Sequence, residues 1–265
     1  MSFFHRIRES LFATWHTRCP LCSLGARAGL FCAGCERDCY HSRQARRLCI
    51  RCANDLAPEC QEHTRHIPTR HTHSSHCSEI CLSCQQQPPA QAYAVCAMDY
   101  GFPAGWLMTD FKARARLSLA RPMAHLMLKA AERPIRIKRP CAWIPVPAST
   151  QRLQTIGFSP PQQLAWHMGR LSGIVTQLHW LSRPREASPQ KHRKRGARQS
   201  AMIGSMEASP AVAGRWVGVV DDVMTTGSTV SEAARALLAA GALGVTVVAA
   251  MRTPIKYEAS ACKSH

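Results

Sequence analysis

Apolar positions in the C-terminal two-thirds of the chain recur in short runs separated by helix-length amphipathic stretches. Residues 90–100 alternate in the manner of a strand, and 105–112 open a helical pattern. Met123, Leu126, Met127 and Ala130 fall on one helix face, a spacing that predicts core packing. Residues 141–146 read as a buried strand running into the constrained Pro145-Val146-Pro147. A second apolar run, Val217-Gly218-Val219-Val220, precedes an Ala- and Leu-rich stretch at 230–240 that favours helix; Gly241 stops it, and 245–251 form another strand. Helices alternating with short apolar strands predict an α/β fold with a parallel sheet covered on both faces. Ligands in such sheets lie beyond the carboxyl ends of strands, where Pro147 and Asp221 both fall.

The N-terminal third has a different character. Twelve of the 14 cysteines precede residue 100, and eight form Cys-x-x-Cys pairs: Cys19/Cys22, Cys32/Cys35, Cys49/Cys52 and Cys81/Cys84. Each pair can present two thiolates to one tetrahedral ion, so four pairs supply two four-cysteine zinc sites. A thioredoxin-like redox role would explain one pair but not four, and a segment this poor in large apolar residues needs the metal as its core. Which pairs share an ion is open at this level. An insert at 60–77 carries His63, His66, His71, His73 and His76. It reads as a solvated loop in preference to a metal site, because its spacing fits no standard finger. Gln85-Gln86-Gln87-Pro88-Pro89 breaks regular structure, giving a Cys-rich zinc module at 15–88 and an α/β domain at 90–258.

Chemistry concentrates at Val219-Val220-Asp221-Asp222-Val223-Met224-Thr225-Thr226-Gly227-Ser228-Thr229. Hydroxyls and unpaired amides at a helix N-terminus suit a phosphate. Carboxylates repel one, so Asp221 and Asp222 suit the hydroxyls of a sugar or a magnesium ion shared with a second phosphate.

That stretch resembles the 5-phosphoribosyl-1-pyrophosphate (PRPP) motif of type I phosphoribosyltransferases, and "VVDDVMTTGST" is similar to the wording of the ComF/GntX family. Residues 100–112 resemble the family's "Y…lI..lK", Ile144-Pro145-Val146-Pro147 its "lvPVP", and Gly157-Phe158 part of its "RGFNQ". Gln190 and Arg198 keep the interval of its "Q…L…eR..N" loop. The resemblance implies a type I phosphoribosyltransferase-like sheet behind a zinc-ribbon module, with two structural zinc ions and Mg with PRPP. It gives Asp221 and Asp222 the ribose and metal, and Thr225, Thr226, Gly227, Ser228 and Thr229 the 5-phosphate. Arg198 and Arg152 become candidates for the pyrophosphate. Turnover would displace pyrophosphate at the ribose anomeric carbon. Ile156, Ser159, Pro160, Arg193 and Ala201 depart from the family's "RGFNQ" and loop patterns, which touches turnover more than binding.

Charge widens the choice. Lys and Arg number 34 against 16 Asp and Glu, a net +18, which favours polyanions. The basic stretch 183–198 could close over pyrophosphate, track a nucleic-acid backbone, or be a solvated loop. The family's link with natural transformation implies single-stranded DNA as the alternative partner, with the transferase fold as scaffold. The N-terminus has no secretory h-region and no run reaches a membrane span, so a cytoplasmic protein without membrane insertion is expected.

Overall fold

The computed structural model describes residues 15–56, 79–183 and 206–254. The His-rich insert, most of the basic stretch and Arg198 lie outside them.

The chain begins with a two-stranded hairpin, β1 (His16–Arg18) and β2 (Gly25–Arg27), followed by the short helices α1 (Ala33–Glu36), α2 (Ser42–Gln44) and α3 (Leu82–Gln86). Gln85 and Gln86, read from sequence as part of a break, close α3. This region does not stand apart from the rest. Phe31, Cys39 and Tyr40 share one apolar core with Met98, Leu107 and Phe111. Arg43, 1% exposed, donates through Nε to the Cys96 carbonyl at 3.1 Å and pairs with Asp99.

β3 (Tyr93–Asp99), α4 (Ala104–Ala113), α5 (Ala120–Ala130), α6 (Glu132–Ile137), β4 (Ala142–Pro145), α7 (Thr150–Ile156), α8 (Pro160–Ser172) and β5 (Val175–Thr176) follow. Beyond a small antiparallel pair, β6 (Leu181–Ser182) and β7 (Glu207–Ala208), come β8 (Trp216–Met224), α9 (Ser228–Ala239) and β9 (Gly244–Arg252). The main sheet has the order β3-β9-β8-β4-β5, and every pairing in it is parallel. This is the parallel α/β sheet covered on both faces that the sequence pattern predicts.

Central strands buried on both faces read as nearly continuous apolar runs. β9 is buried along its whole length, and β8 is half-exposed only at Trp216 and Val223. Val220 and Val248 face a core built with α4, α5 and α8; Val217, Val219, Val245 and Val247 face a second core built with α9 and the β6–β7 pair. Met123, Leu126 and Met127 of α5 are fully buried in the first core, as their spacing predicts. Gly218 is required by packing: a Cβ there would stand 2.3 Å from the ring of buried Trp143. Among the described residues, no helix is long and apolar enough to cross a membrane.

Candidate functional site

β8 continues through both acids to Met224, and α9 opens at Ser228, so the turn between them is shorter than the sequence pattern suggests. Register holds the acids inside the sheet, with Asp221 opposite Ala249 and Met224 opposite Arg252. Successive strand residues point to opposite faces. Asp221 therefore shares the α9 side with Val217 and Val219, and Asp222 shares the α4/α8 side with Val220. Two neighbours in sequence thus enter different environments.

Asp222, 1% exposed, is held from three directions. Lys112 Nζ at 2.5 Å and Arg152 Nη2 at 2.8 Å both meet its Oδ2, and the Val223 N–H donates to its Oδ1 at 2.9 Å. Burial works to raise its pKa, but the two cations outweigh burial and hold it below the usual carboxylate value, so it is an anion at neutral pH. Asp221, 6% exposed, has the opposite fate. Burial first, and the adjacent Asp222 charge second, push its carboxyl well above the ordinary range, while the Asp222 N–H donates to its Oδ1 at 2.9 Å.

The turn beyond β8 gathers exposed hydroxyls at a helix N-terminus. Gly227 sits at φ 80°, a left-handed conformation that L side chains rarely adopt. The Thr226 and Ser228 hydroxyls lie 2.9 Å apart, and the Ser228 N–H donates to Thr226 Oγ1 at 3.3 Å. Thr225, Thr226 and Ser228 are exposed at the N-terminus of the 12-residue α9, whose first amides lack intrahelical acceptors.

A cavity of about 290 Å³ opens here, with Ser149, Arg152, Arg183, Asp221, Thr225 and Thr229 as its polar lining. Pro147, beyond the end of β4, forms part of its wall. Arg152 is aimed by its helix: Ser149 caps α7 by accepting from the Arg152 N–H at 3.2 Å, and Gly157 at φ 81° ends the helix. Two guanidinium groups line the same cavity as Asp221 and favour an anionic ligand.

Of the residues singled out from sequence, Asp221, Thr225, Thr229 and Arg152 line one cavity, and Thr226, Gly227 and Ser228 complete the adjoining turn. Asp222 is bound to Arg152, and Arg198 lies outside the described residues. Two neighbours escaped sequence reasoning. Lys112 was visible only as the last residue of a family segment, and Arg183 only as one of a basic run.

The cysteines settle into two clusters, Cys19/Cys22/Cys32/Cys35 and Cys49/Cys52/Cys81/Cys84, with the four sulfurs of each within 4.8 Å of one another. A tetrahedral zinc with Zn–S bonds of about 2.3 Å places sulfurs about 3.8 Å apart. The Cys22 and Cys32 sulfurs are 3.5 Å apart and those of Cys52 and Cys81 3.6 Å, so both clusters are compatible with zinc. The two are built alike. In each, the first pair sits on a tight turn: Cys19 N–H donates to Leu24 O at 2.7 Å, and Cys49 N–H to Asn54 O at 2.8 Å. The residue after each turn is left-handed, Ser23 at φ 63° and Ala53 at φ 56°. In each, the second pair opens a helix, with Cys32 at the N-cap position of α1 and Cys81 at that of α3. The Cys81 N–H also donates to Cys49 Sγ at 3.3 Å. Cys39 and Cys96 are buried and belong to neither cluster.

Comparison with known proteins adds relatives to this geometry. The DNA utilization protein YhgH of Salmonella typhimurium is 30% identical over 215 residues, covering 78% of this chain and 90% of the relative. The protein of that name from Escherichia coli (strain K12) is 28% identical over 240 residues, covering 89% and 96%. Competence protein F of Haemophilus influenzae is 28% identical over 212 residues, covering 71% and 90%. No family model matches the chain. Among solved structures, the allosteric regulatory enzyme of purine biosynthesis is 20% identical with a TM-score of 0.35, over 49% of this chain and 26% of that one. The hypoxanthine-guanine phosphoribosyl transferase of L. donovani is 15% identical with a TM-score of 0.32, over 51% and 71%. The fold therefore rests on the chain's own strand order and helix placement.

Proposed function

Because the chain belongs to the ComF/GntX family, we propose that the cleft at the carboxyl end of β8 binds PRPP or a related ribose phosphate together with Mg. One observation carries the reading: a buried acid and a hydroxyl-rich helix N-terminus, with two arginines, line the same cavity. In this reading Thr225, Thr226, Gly227, Ser228 and Thr229 hold the 5-phosphate through hydroxyls and amides. Asp221 accepts from a ribose hydroxyl. Asp222, gripped by Lys112, fixes Arg152 at the cavity wall for the pyrophosphate, with Arg198 as the second candidate. Asp221, the carboxylate lining the cavity, would hold the magnesium ion, which would supply positive charge to phosphate oxygens. Turnover by this chain would be displacement of that group at the anomeric carbon.

The two four-cysteine clusters hold structural zinc in the same reading. Residues 15–88 then form a zinc-ribbon-like module and 90–258 the transferase-like unit of a cytoplasmic protein. Thermal denaturation of the zinc-loaded chain with PRPP and Mg tests the proposal. A ligand at a hundred times its Kd stabilises by about 2.7 kcal/mol, a clear rise in Tm. No rise with PRPP, ribose 5-phosphate or pyrophosphate would refute it.

A second reading, binding of single-stranded DNA, is favoured by a different feature. Tyr100 (43% exposed), Phe102 (97%) and Trp106 (45%) stand past the carboxyl end of β3, at the same end of the sheet as the cleft. Exposed aromatic rings serve as stacking platforms for unpaired bases. This reading predicts affinity for an oligonucleotide that falls steeply with salt and lessens when Lys191, Arg193, Lys194 and Arg195 become Ala. Affinity indifferent to both would sink it.

A further inference from the structure

Arg252 ends β9 at 1% exposure, and the oxygens around it belong to two distant parts of the chain. Its Nε donates to the carbonyl of Cys52 at 3.1 Å. Its Nη1 donates to the carbonyls of Met224 and Thr253, each at 2.9 Å, and to that of Thr225. Cys52 is a member of the second four-cysteine cluster, and Met224 and Thr225 lead into the turn before α9. One buried guanidinium therefore joins the metal cluster to the phosphate turn.

The neighbouring carbonyl is held the same way. Arg43, equally buried, donates through Nη2 to Ala53, the left-handed residue that closes the Cys49–Cys52 turn. Arg252 also fixes the end of the next strand, since the Tyr100 N–H donates to its carbonyl at 2.7 Å. A buried cation persists only when its donors are satisfied, and an unsatisfied one is costly. A zinc ion shared by Cys49, Cys52, Cys81 and Cys84 would hold the Cys52 carbonyl in place. If the turn opens, Arg252 loses an acceptor on one side and its grip on Met224 and Thr225 on the other.

We propose that Arg252 is the positioning residue of the phosphate turn, and that through it the second four-cysteine cluster, but not the first, sets the geometry of residues 224–229. The proposal rests on the reading of that turn as a ribose-phosphate cradle. In the zinc-loaded full chain, hydrogen exchange over residues 222–231 is measured beside titration with PRPP and Mg. The variants are Arg252→Lys, which keeps the charge but not the fork of donors, Cys84→Ser in the second cluster and Cys22→Ser in the first.

Arg252→Lys should retain both zinc ions, speed exchange in that segment severalfold and weaken PRPP roughly tenfold, the scale of one charged hydrogen bond. Cys84→Ser should do the same to exchange, and Cys22→Ser should leave the segment at wild-type protection. Wild-type exchange in Arg252→Lys, or equal acceleration in Cys22→Ser, overturns the proposal. Accelerated exchange in Arg252→Lys and Cys84→Ser alone, in a wild type that binds no PRPP, would uphold the mechanical link and remove the ligand reading.

Discussion

Replacing Lys112 with Met leaves a carbon stem of similar length and removes the charge that sits 2.5 Å from Asp222 Oδ2. The side chains are 20% and 2% exposed, so the pair is largely out of water. Stripping one partner from a fully buried pair costs about 3–5 kcal/mol. Here Arg152 still faces the carboxylate, but its side chain is 44% exposed and its charge is partly screened. The loss should therefore fall to about 1–3 kcal/mol. For a chain of this size each kcal/mol moves Tm by about 2–4 °C, so Lys112→Met should melt several degrees lower. The Lys112→Met/Asp222→Asn double variant leaves no buried charge unpaired, only the half-exposed Arg152 without its carboxylate, and should recover much of that, a coupling of about 1–3 kcal/mol. Asp222 has a lowered pKa in the fold, so its contribution is present above the ordinary carboxylate value and is lost as pH falls through the folded one. Wild type and Lys112→Met should accordingly converge in acid. Thermal unfolding of the four proteins across pH reads this out. Strictly additive losses at neutral pH would refute the ion pair as the feature that organises Asp222.

Asp221 should behave oppositely. Its folded pKa is raised, so the fold retains a proton the unfolded chain releases, and stability declines as pH climbs from the ordinary carboxylate range toward the raised value. Asp221→Asn should thus raise Tm at neutral pH while removing the hydroxyl acceptor; a lower Tm would contradict the assignment. Metal analysis should find two zinc ions per chain and one in Cys22→Ser, and a chelator should lower Tm; a full complement in that variant would be contrary. Gly218→Ala forces a methyl against the Trp143 ring, where an added Cβ stands 2.3 Å away, and should destabilise by about 1–3 kcal/mol in urea unfolding.

Much of this was legible along the chain. The alternation at 90–100 became β3, the Met/Leu spacing became the buried face of α5, and the strand–turn–helix pattern at 217–240 became β8 and α9. These are periodic signals, fixed by local geometry. The division between Asp221 and Asp222 was latent in the two-residue period of a strand, but a sequence does not show where that strand ends. β8 runs on to Met224 because β9 offers it a partner as far as Arg252. Lys112 lies 110 positions before Asp222, and only helix packing brings it there. Cysteine pairing was likewise out of reach, since spacing shows that pairs exist but not which turns face each other. Arg252 carried no motif at all. Its role comes from ending a strand between two elements that only the fold makes neighbours.

The central claim is that the carboxyl end of β8 is a ribose-phosphate site. Calorimetric titration of the zinc-loaded protein with PRPP and Mg, run beside Asp221→Asn/Asp222→Asn, tests it most directly. The account predicts saturable binding to the wild type and none to the folded double variant. Equal affinity in both would contradict it, and a silent wild type would leave the cleft to another ligand and turn attention to single-stranded DNA.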